Sequence, residues 1–307
     1  MMGLDTLATL ALAASLMAPA LPKRTDWQGE PVMIRQASVA YGQVDADGKF
    51  TPQETLHSLQ YIVVKEEKGY LQVNQEGKMV WVDKKDMVLL RDAPDHYTKM
   101  LDSDPNNATW YAYRGWANHR LKQSDKALKD YSEAIRIKPL VSAWHNNRGL
   151  IYADQKKYDE AIQDYTAAID LNDENALSFR NRAVAYTRKK LYAKAVADFE
   201  KAVEIAPNIP FAQNGYAWIL CTCPEDKVRD GKKALAHAKK ACELTEFKNG
   251  GYLDTLAAAY AENGEWDKAV EWQEKAIKSG DFPLADIEAG KKRLELFKNK
   301  KAYRGDD

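Results

Sequence analysis

Three consecutive stretches of equal length decide the fold of this chain: 108-ATWYAYRGWANHRLKQSDKALKDYSEAIRIKPLV-141, 142-SAWHNNRGLIYADQKKYDEAIQDYTAAIDLNDEN-175 and 176-ALSFRNRAVAYTRKKLYAKAVADFEKAVEIAPNI-209. They align without a gap. Gly115, Gly149 and Ala183 coincide, as do Ala127, Ala161 and Ala195, then Tyr131, Tyr165 and Phe199, then Ala134, Ala168 and Ala202, while Pro139, Asp173 and Pro207 close the units. Small residues at the Gly115 and Ala127 positions let two antiparallel helices approach closely. Tyr131 and Ala134 share one face of the second helix at helical spacing. Each helical hairpin therefore carries apolar faces that it cannot cover alone, and stacking neighbours buries them. Proline, with its locked ring and missing N–H, ends one hairpin before the next begins.

On these residues the chain resembles the tetratricopeptide repeat family, with Tyr111 and Gly115 in the first-helix motif and Ala127, Tyr131, Ala134 and Pro139 in the second. The register extends outward. Ala93, Tyr97, Met100 and Pro105 each lie one full repeat before Ala127, Tyr131, Ala134 and Pro139, so 93–107 reads as a lone second helix capping the stack. Units are expected at 108–141, 142–175 and 176–209, an irregular fourth at 210–248 with the extra loop CTCPEDKVRDG, a fifth at 249–283 and a closing helix over 284–303. The fifth carries Leu253, Ala257, Tyr260, Ala269 and Ala276 in the familiar places.

Between 27 and 92 the pattern changes to period two. Tyr61–Lys65, Tyr70–Val73, Met79–Val82 and Met87–Leu90 read as strands, with Lys68-Gly69 and Glu76-Gly77-Lys78 as turns. The run GYLQV…GKMVWVDKKDMVLL resembles the end of a bacterial SH3-like domain, whereas 32–59 reads as a long insertion. The fold class expected is thus mainly α, a right-handed helical-hairpin solenoid preceded by a small all-β SH3-like barrel. Within the insertion, Asp45, Asp47, Gly48 and Glu54 match part of a calcium-loop pattern. Gln43 stands at the first ligand position and strand-like residues precede it, so a β-turn at Asp47-Gly48 is the preferred reading.

Composition narrows function. Lys plus Arg equals Asp plus Glu, at 45 each in 307 residues, so no global field draws nucleic acid, and none is expected as a partner. The run LATLALAASLMAPAL (7–21), ending in Ala-Pro-Ala, reads within 1–24 as a secretory signal or apolar N-terminal segment, although no basic residue precedes it. An exported, periplasmic or cell-surface location follows as an expectation. Cys221, Cys223 and Cys242 do not form a disulfide framework. With His237 they could supply four soft ligands, but the spacing is poor and buried apolar thiols are the simpler account. Five scattered histidines, without a nucleophile elbow or phosphate loop, point away from an enzyme, and no cofactor or metal is expected.

The resemblance implies that first helices line a concave groove. It assigns to that groove Ala112, Trp116, His119 and Arg120 in the first unit, Asn146, Leu150 and Asp154 in the second, and Arg180, Val184, Thr187 and Arg188 in the third. An aromatic with Asn and Arg donors suits an extended peptide, and Arg suits an acidic group on it. Lys at the Ala112 position and Asn at the Trp116 position are lacking, which disfavours the family's carboxylate clamp. Arg114, Arg148 and Arg182 also recur, with Asp130, Asp164 and Asp198; bridging within the stack is the favoured reading and a ligand-reading ladder the other. The function expected is a scaffold binding a protein or peptide. A wall-associated accessory protein whose SH3-like module contacts peptidoglycan peptide is one alternative, and an enzyme is a weak third.

Overall fold

The structure is a computed structural model that describes residues 27–305 apart from positions 37, 46, 57 and 283. The apolar segment read within 1–24 lies outside the described residues. Among those residues there are seven strands followed by twelve α-helices, and backbone contacts divide them into two compact units, 27–151 and 152–305.

In the first unit an antiparallel sheet has the order β3-β2-β6-β5-β4-β1-β7. Its strands are β1 (Pro31–Ile34), β2 (Ala40–Val44), β3 (Phe50–Thr55), β4 (Gln60–Glu67), β5 (Tyr70–Gln75), β6 (Lys78–Asp83) and β7 (Met87–Leu89). The β4–β5–β6 meander arises from two two-residue turns. Lys68 and Gly69 have φ of 50° and 83°, Glu76 and Gly77 of 52° and 86°, the paired positive values whose twist matches the flanking strands. Alternation then sends Tyr61, Val63, Leu71, Val73, Val80 and Val82 inward. The stretch read as an insertion holds three further strands. Of these β1 joins β4 to β7, while β2 pairs with β6 and carries β3 at the sheet edge. Where β2 bulges, a Cβ on Gly42 would lie 1.9 Å from the Thr51 carbonyl oxygen, so only glycine fits.

The same unit contains α1 (Ala93–Ser103), α2 (Ala108–Arg120), α3 (Ser124–Ile137) and the start of α4 (Ser142–Asp154). The compact unit runs across positions 92/93, where the strands give way to helices. Tyr97 is the physical reason. It is fully buried among Met33, Val88, Leu90 and Ala93, stacks on Trp110 and meets Tyr113 edge-on, and its hydroxyl donates to the Ile34 carbonyl of β1.

The second unit contains α5 (Tyr158–Leu171), α6 (Ala176–Arg188), α7 (Tyr192–Ile205), α8 (Pro210–Thr222), α9 (Gly231–Glu243), α10 (Gly250–Glu262), α11 (Trp266–Lys278) and α12 (Ile287–Lys298). Helices α8 and α10 are largely apolar and almost wholly buried, as helices packed on every side must be. Close approach is built in: a Cβ on Gly215 would sit 2.6 Å from the Phe199 ring. Between α2 and α3 the turn is a left-handed cap, in which Lys122 N–H donates to the His119 carbonyl and Gln123 N–H to that of Asn118. Lys156, Lys190 and, in the fifth hairpin, Gly264 hold the same place with positive φ. The architecture is a helical-hairpin solenoid with an N-terminal antiparallel sheet, and no helix among the described residues is long and apolar enough to cross a membrane.

Candidate functional site

The repeating Arg and Asp residues resolve as bridges within the stack. Arg114 Nη2 lies 2.7 Å from Asp130 Oδ1, its Nη1 donates to Thr98 Oγ1 at 3.0 Å, and Asn118 Nδ2 donates to Asp130 Oδ2 at 2.9 Å. Arg182 repeats this with Asp198 at 2.7 and 2.9 Å and Thr166 at 3.0 Å. Arg148 donates to Ser132 Oγ, and Tyr216 to Glu200 Oε1. The acceptors Thr98, Ser132, Thr166 and Glu200 are themselves one repeat apart. A hydrogen bond at one repeating position therefore ties each of α2, α4, α6 and α8 to the preceding second helix.

The residues that the family resemblance assigns to a groove behave differently. In the first unit Ala112 is buried, and Trp116 packs beside it against Tyr131 and Ile151. The Arg120 guanidinium stands 5.6 Å over the Trp116 ring and donates to Gln60 Oε1 of β4 at 3.1 Å; burial lowers its pKa from the ordinary arginine value. His119 and Leu150 are half-buried and Asn146 is buried. In the second unit Asp154 is exposed, Val184, Thr187 and Arg188 are half-buried, and the Thr187 hydroxyl turns back to the Ala183 carbonyl. Arg180 is only 7% exposed. Its Nη1 donates to Asn181 Oδ1 at 3.0 Å and its guanidinium lies 5.7 Å over the Phe211 ring, and desolvation pushes its pKa down.

The register continues to residues that the sequence reading stopped short of. Asn214 follows Ala112, Asn146 and Arg180 at the same spacing; Trp218 follows Trp116, Leu150 and Val184; Thr222 follows Arg120, Asp154 and Arg188. Continuing the repeat count up to the irregular loop would have found them. Asn214 is 2% exposed, and its Oδ1 meets no donor among the described residues.

The soft-ligand and calcium readings take ordinary places. Cys221, Cys223 and Cys242 are buried, and burial pushes the Cys242 thiol up to about 12, with Cys221 also raised. His237 faces Gln213 Oε1 at 2.6 Å instead. Asp45 Oδ1 accepts from the Lys49 N–H at 2.8 Å, closing the β2–β3 turn, and Glu54 accepts from the Tyr41 hydroxyl at 2.6 Å. Among the described residues no three His, Cys, Asp or Glu side chains gather as a metal site. On the sheet, Ile62, Val64 and Met79 stand exposed around a cleft also lined by Tyr61 and Gln75.

Tetratricopeptide repeat models match residues 142–175 and 176–209, 251–279, and 90–142. No curated protein matches the chain. Among solved structures, the Cut9–Hcn1 hetero-tetramer of APC/C is similar with a TM-score of 0.56 and 14% identity, over 68% of this chain and 39% of that one. Yeast Tom70 is similar with a TM-score of 0.52 and 20% identity, over 67% of this chain and 43% of that one. The chain thus spans less than half the length of either. YrrB, described as a TPR protein with an unusual peptide-binding site, gives 0.49 and 19% identity, over 64% of this chain and 97% of that one.

Proposed function

From the premise that segments 90–209 and 251–279 of this chain are tetratricopeptide repeats, we propose that it is a scaffold whose groove-facing positions hold an extended segment of another protein. One contrast carries this reading. Positions that build the stack repeat from unit to unit, as with Tyr131, Tyr165 and Phe199 or Arg114, Arg148 and Arg182. The groove-facing positions instead change at each step, from Ala112 to Asn146, Arg180 and Asn214. Packing requires sameness in a repeat; a row of differing apolar, amide and cationic groups is what reads a particular ligand. Arg180 suits an acidic group on that ligand, because a desolvated guanidinium binds a carboxylate through paired hydrogen bonds. Catalysis finds no support in the thiols, since burial raises Cys221 and Cys242 where an activated nucleophile needs a lowered pKa.

The test is co-purification from the native cell with the wild-type chain and with Trp116→Ala and Arg180→Ala, each checked for its helical spectrum. Recovery of the specific partner should fall at least tenfold. Unchanged recovery with both folded variants sinks the groove assignment.

The sheet supports a second reading. Its first and last strands pair, and a short 3-10 turn at Lys84–Asp86 precedes the last, in keeping with the SH3-like reading. The exposed Ile62, Val64 and Met79 offer that module an apolar contact surface, and with export it would meet cell-wall peptide. Because the sheet shares its core with α1 and α2, the test uses the full chain: Ile62→Asp with Met79→Asp should abolish sedimentation with purified wall. Equal sedimentation removes this reading. Mass spectrometry of the mature N-terminus from cell fractions tests export.

A further inference from the structure

After α12 the chain runs on as an extended segment that returns to the groove-facing positions of the fourth and fifth hairpins. Three contacts fix it. The Tyr303 ring lies 5.9 Å from that of Trp218, and the Arg293 guanidinium stands 5.4 to 5.5 Å over both. The Gly305 N–H donates to the Thr222 carbonyl at 2.8 Å. Arg304 Nη1 donates to Glu262 Oε2 at 2.7 Å. Trp218 and Thr222 are the fourth-unit counterparts of Trp116 and Arg120. Glu262 follows Ala257 at the same interval by which Arg120 follows Gly115.

The chemistry of this place is specific. Thr222 is the last residue of α8, where carbonyls lack partners within the helix and the dipole is negative. The loop CTCPEDKVRDG supplies Arg229, which donates to the Cys223 carbonyl at 2.8 Å and to Glu262 Oε1 at 2.9 Å. One carboxylate oxygen of Glu262 is thereby held by the scaffold, and the other is presented to a second cation. What fits is an extended segment with an aromatic ring for Trp218, an arginine next to it for Glu262, and a main-chain N–H for the end of α8. Tyr303, Arg304 and Gly305 are such a segment.

We propose that residues 301–305 are a tethered ligand of the chain's own groove, occupying its fourth- and fifth-hairpin part until a partner segment bearing an aromatic–arginine pair displaces them. The proposal rests on the groove reading above. Tethering gives the segment an effective concentration on the order of millimolar, so a free competitor binds with an apparent affinity reduced by the fraction of time the site is open.

The test measures fluorescence anisotropy of a labelled synthetic peptide of residues 299–305 against the full chain and against full chain carrying Tyr303→Ala with Arg304→Ala. The double variant is expected to bind the peptide at least tenfold more tightly than wild type. A peptide with Ala in place of both its tyrosine and its arginine should not bind. Should the double variant fail to fold, Arg304→Ala alone serves, since that side chain is 29% exposed and its removal leaves Tyr303 in place; a smaller gain in affinity is then expected. Equal affinity for wild type and a folded variant overturns the proposal, as does no binding by a folded variant, which would make the segment a structural strap. Either failure is distinguishable from failure of the groove reading, which is measured at Trp116 and Arg180 with a native partner.

Discussion

At the scale of single residues, the backbone makes the sharpest forecast. Lys122 sits at φ 62° in the cap between α2 and α3 with its side chain exposed. A left-handed conformation costs a residue with a Cβ roughly 1 kcal/mol or a little more, and the fifth hairpin uses Gly264 at that place. Lys122→Gly is expected to raise stability by about 1 kcal/mol, read from urea unfolding midpoints; an unchanged or lowered midpoint refutes it. His237 makes a forecast about pH. Its pKa is lowered first by burial and then by Lys233, against a smaller opposing effect of Glu200. With the folded value below the unfolded one, near 6.5, the unfolded chain takes up the proton first as pH falls. Stability is lost below that value and kept above it. His237→Gln should therefore flatten the fall in unfolding midpoint between pH 7.5 and pH 5, and an equally steep fall would clear His237 of the effect.

Between elements, the recurring bridge from a first helix to the second helix of its own hairpin dominates. Asp130 is nearly buried and accepts from both Arg114 and Asn118. Removing one partner of such a set strands the others away from water, which typically costs about 3–5 kcal/mol. Asp130→Ala is accordingly expected to lose about 3 kcal/mol in chemical unfolding, whereas a loss below about 1 kcal/mol would show the bridge to be a surface pair. This bridge was legible in the sequence because repetition displays it: Arg114, Arg148 and Arg182 recur with Asp130, Asp164 and Asp198. The strands β1 and β3 were not. β1 is four residues of nearly continuous burial, and β3, Phe50–Thr55, is almost wholly exposed and broken by Pro52, so neither shows the alternation by which a half-buried strand is read. The tail was hidden for another reason. KAYRG has no period, and its meaning comes from Trp218, which lies several helices earlier in the chain and which only the tertiary fold brings to it.

For the molecule as a whole, the division into 27–151 and 152–305 bears on how stability is distributed. A stack of hairpins gains stability from each unit and its nearest neighbour, so a lesion spreads only as far as cooperative packing carries it. Phe297 of α12 is fully buried in the large core of the second unit. Truncating a buried phenylalanine removes both its transfer free energy and its packing, about 3–5 kcal/mol. In Phe297→Ala, hydrogen exchange should quicken at the amides of α10, which lie in that core, while those of Leu71 and Val73 in β5, whose core is Val32, Val63, Val82 and Met87, keep wild-type protection. Matched acceleration in both places would mean that the chain unfolds as one cooperative body, and the contact division would then carry no energetic meaning. Acceleration confined to 152–305 would place the tethered segment and its groove in the part of the chain that opens first. A partner segment would then gain access to Trp218 and Glu262 without disturbing the sheet or the first hairpin.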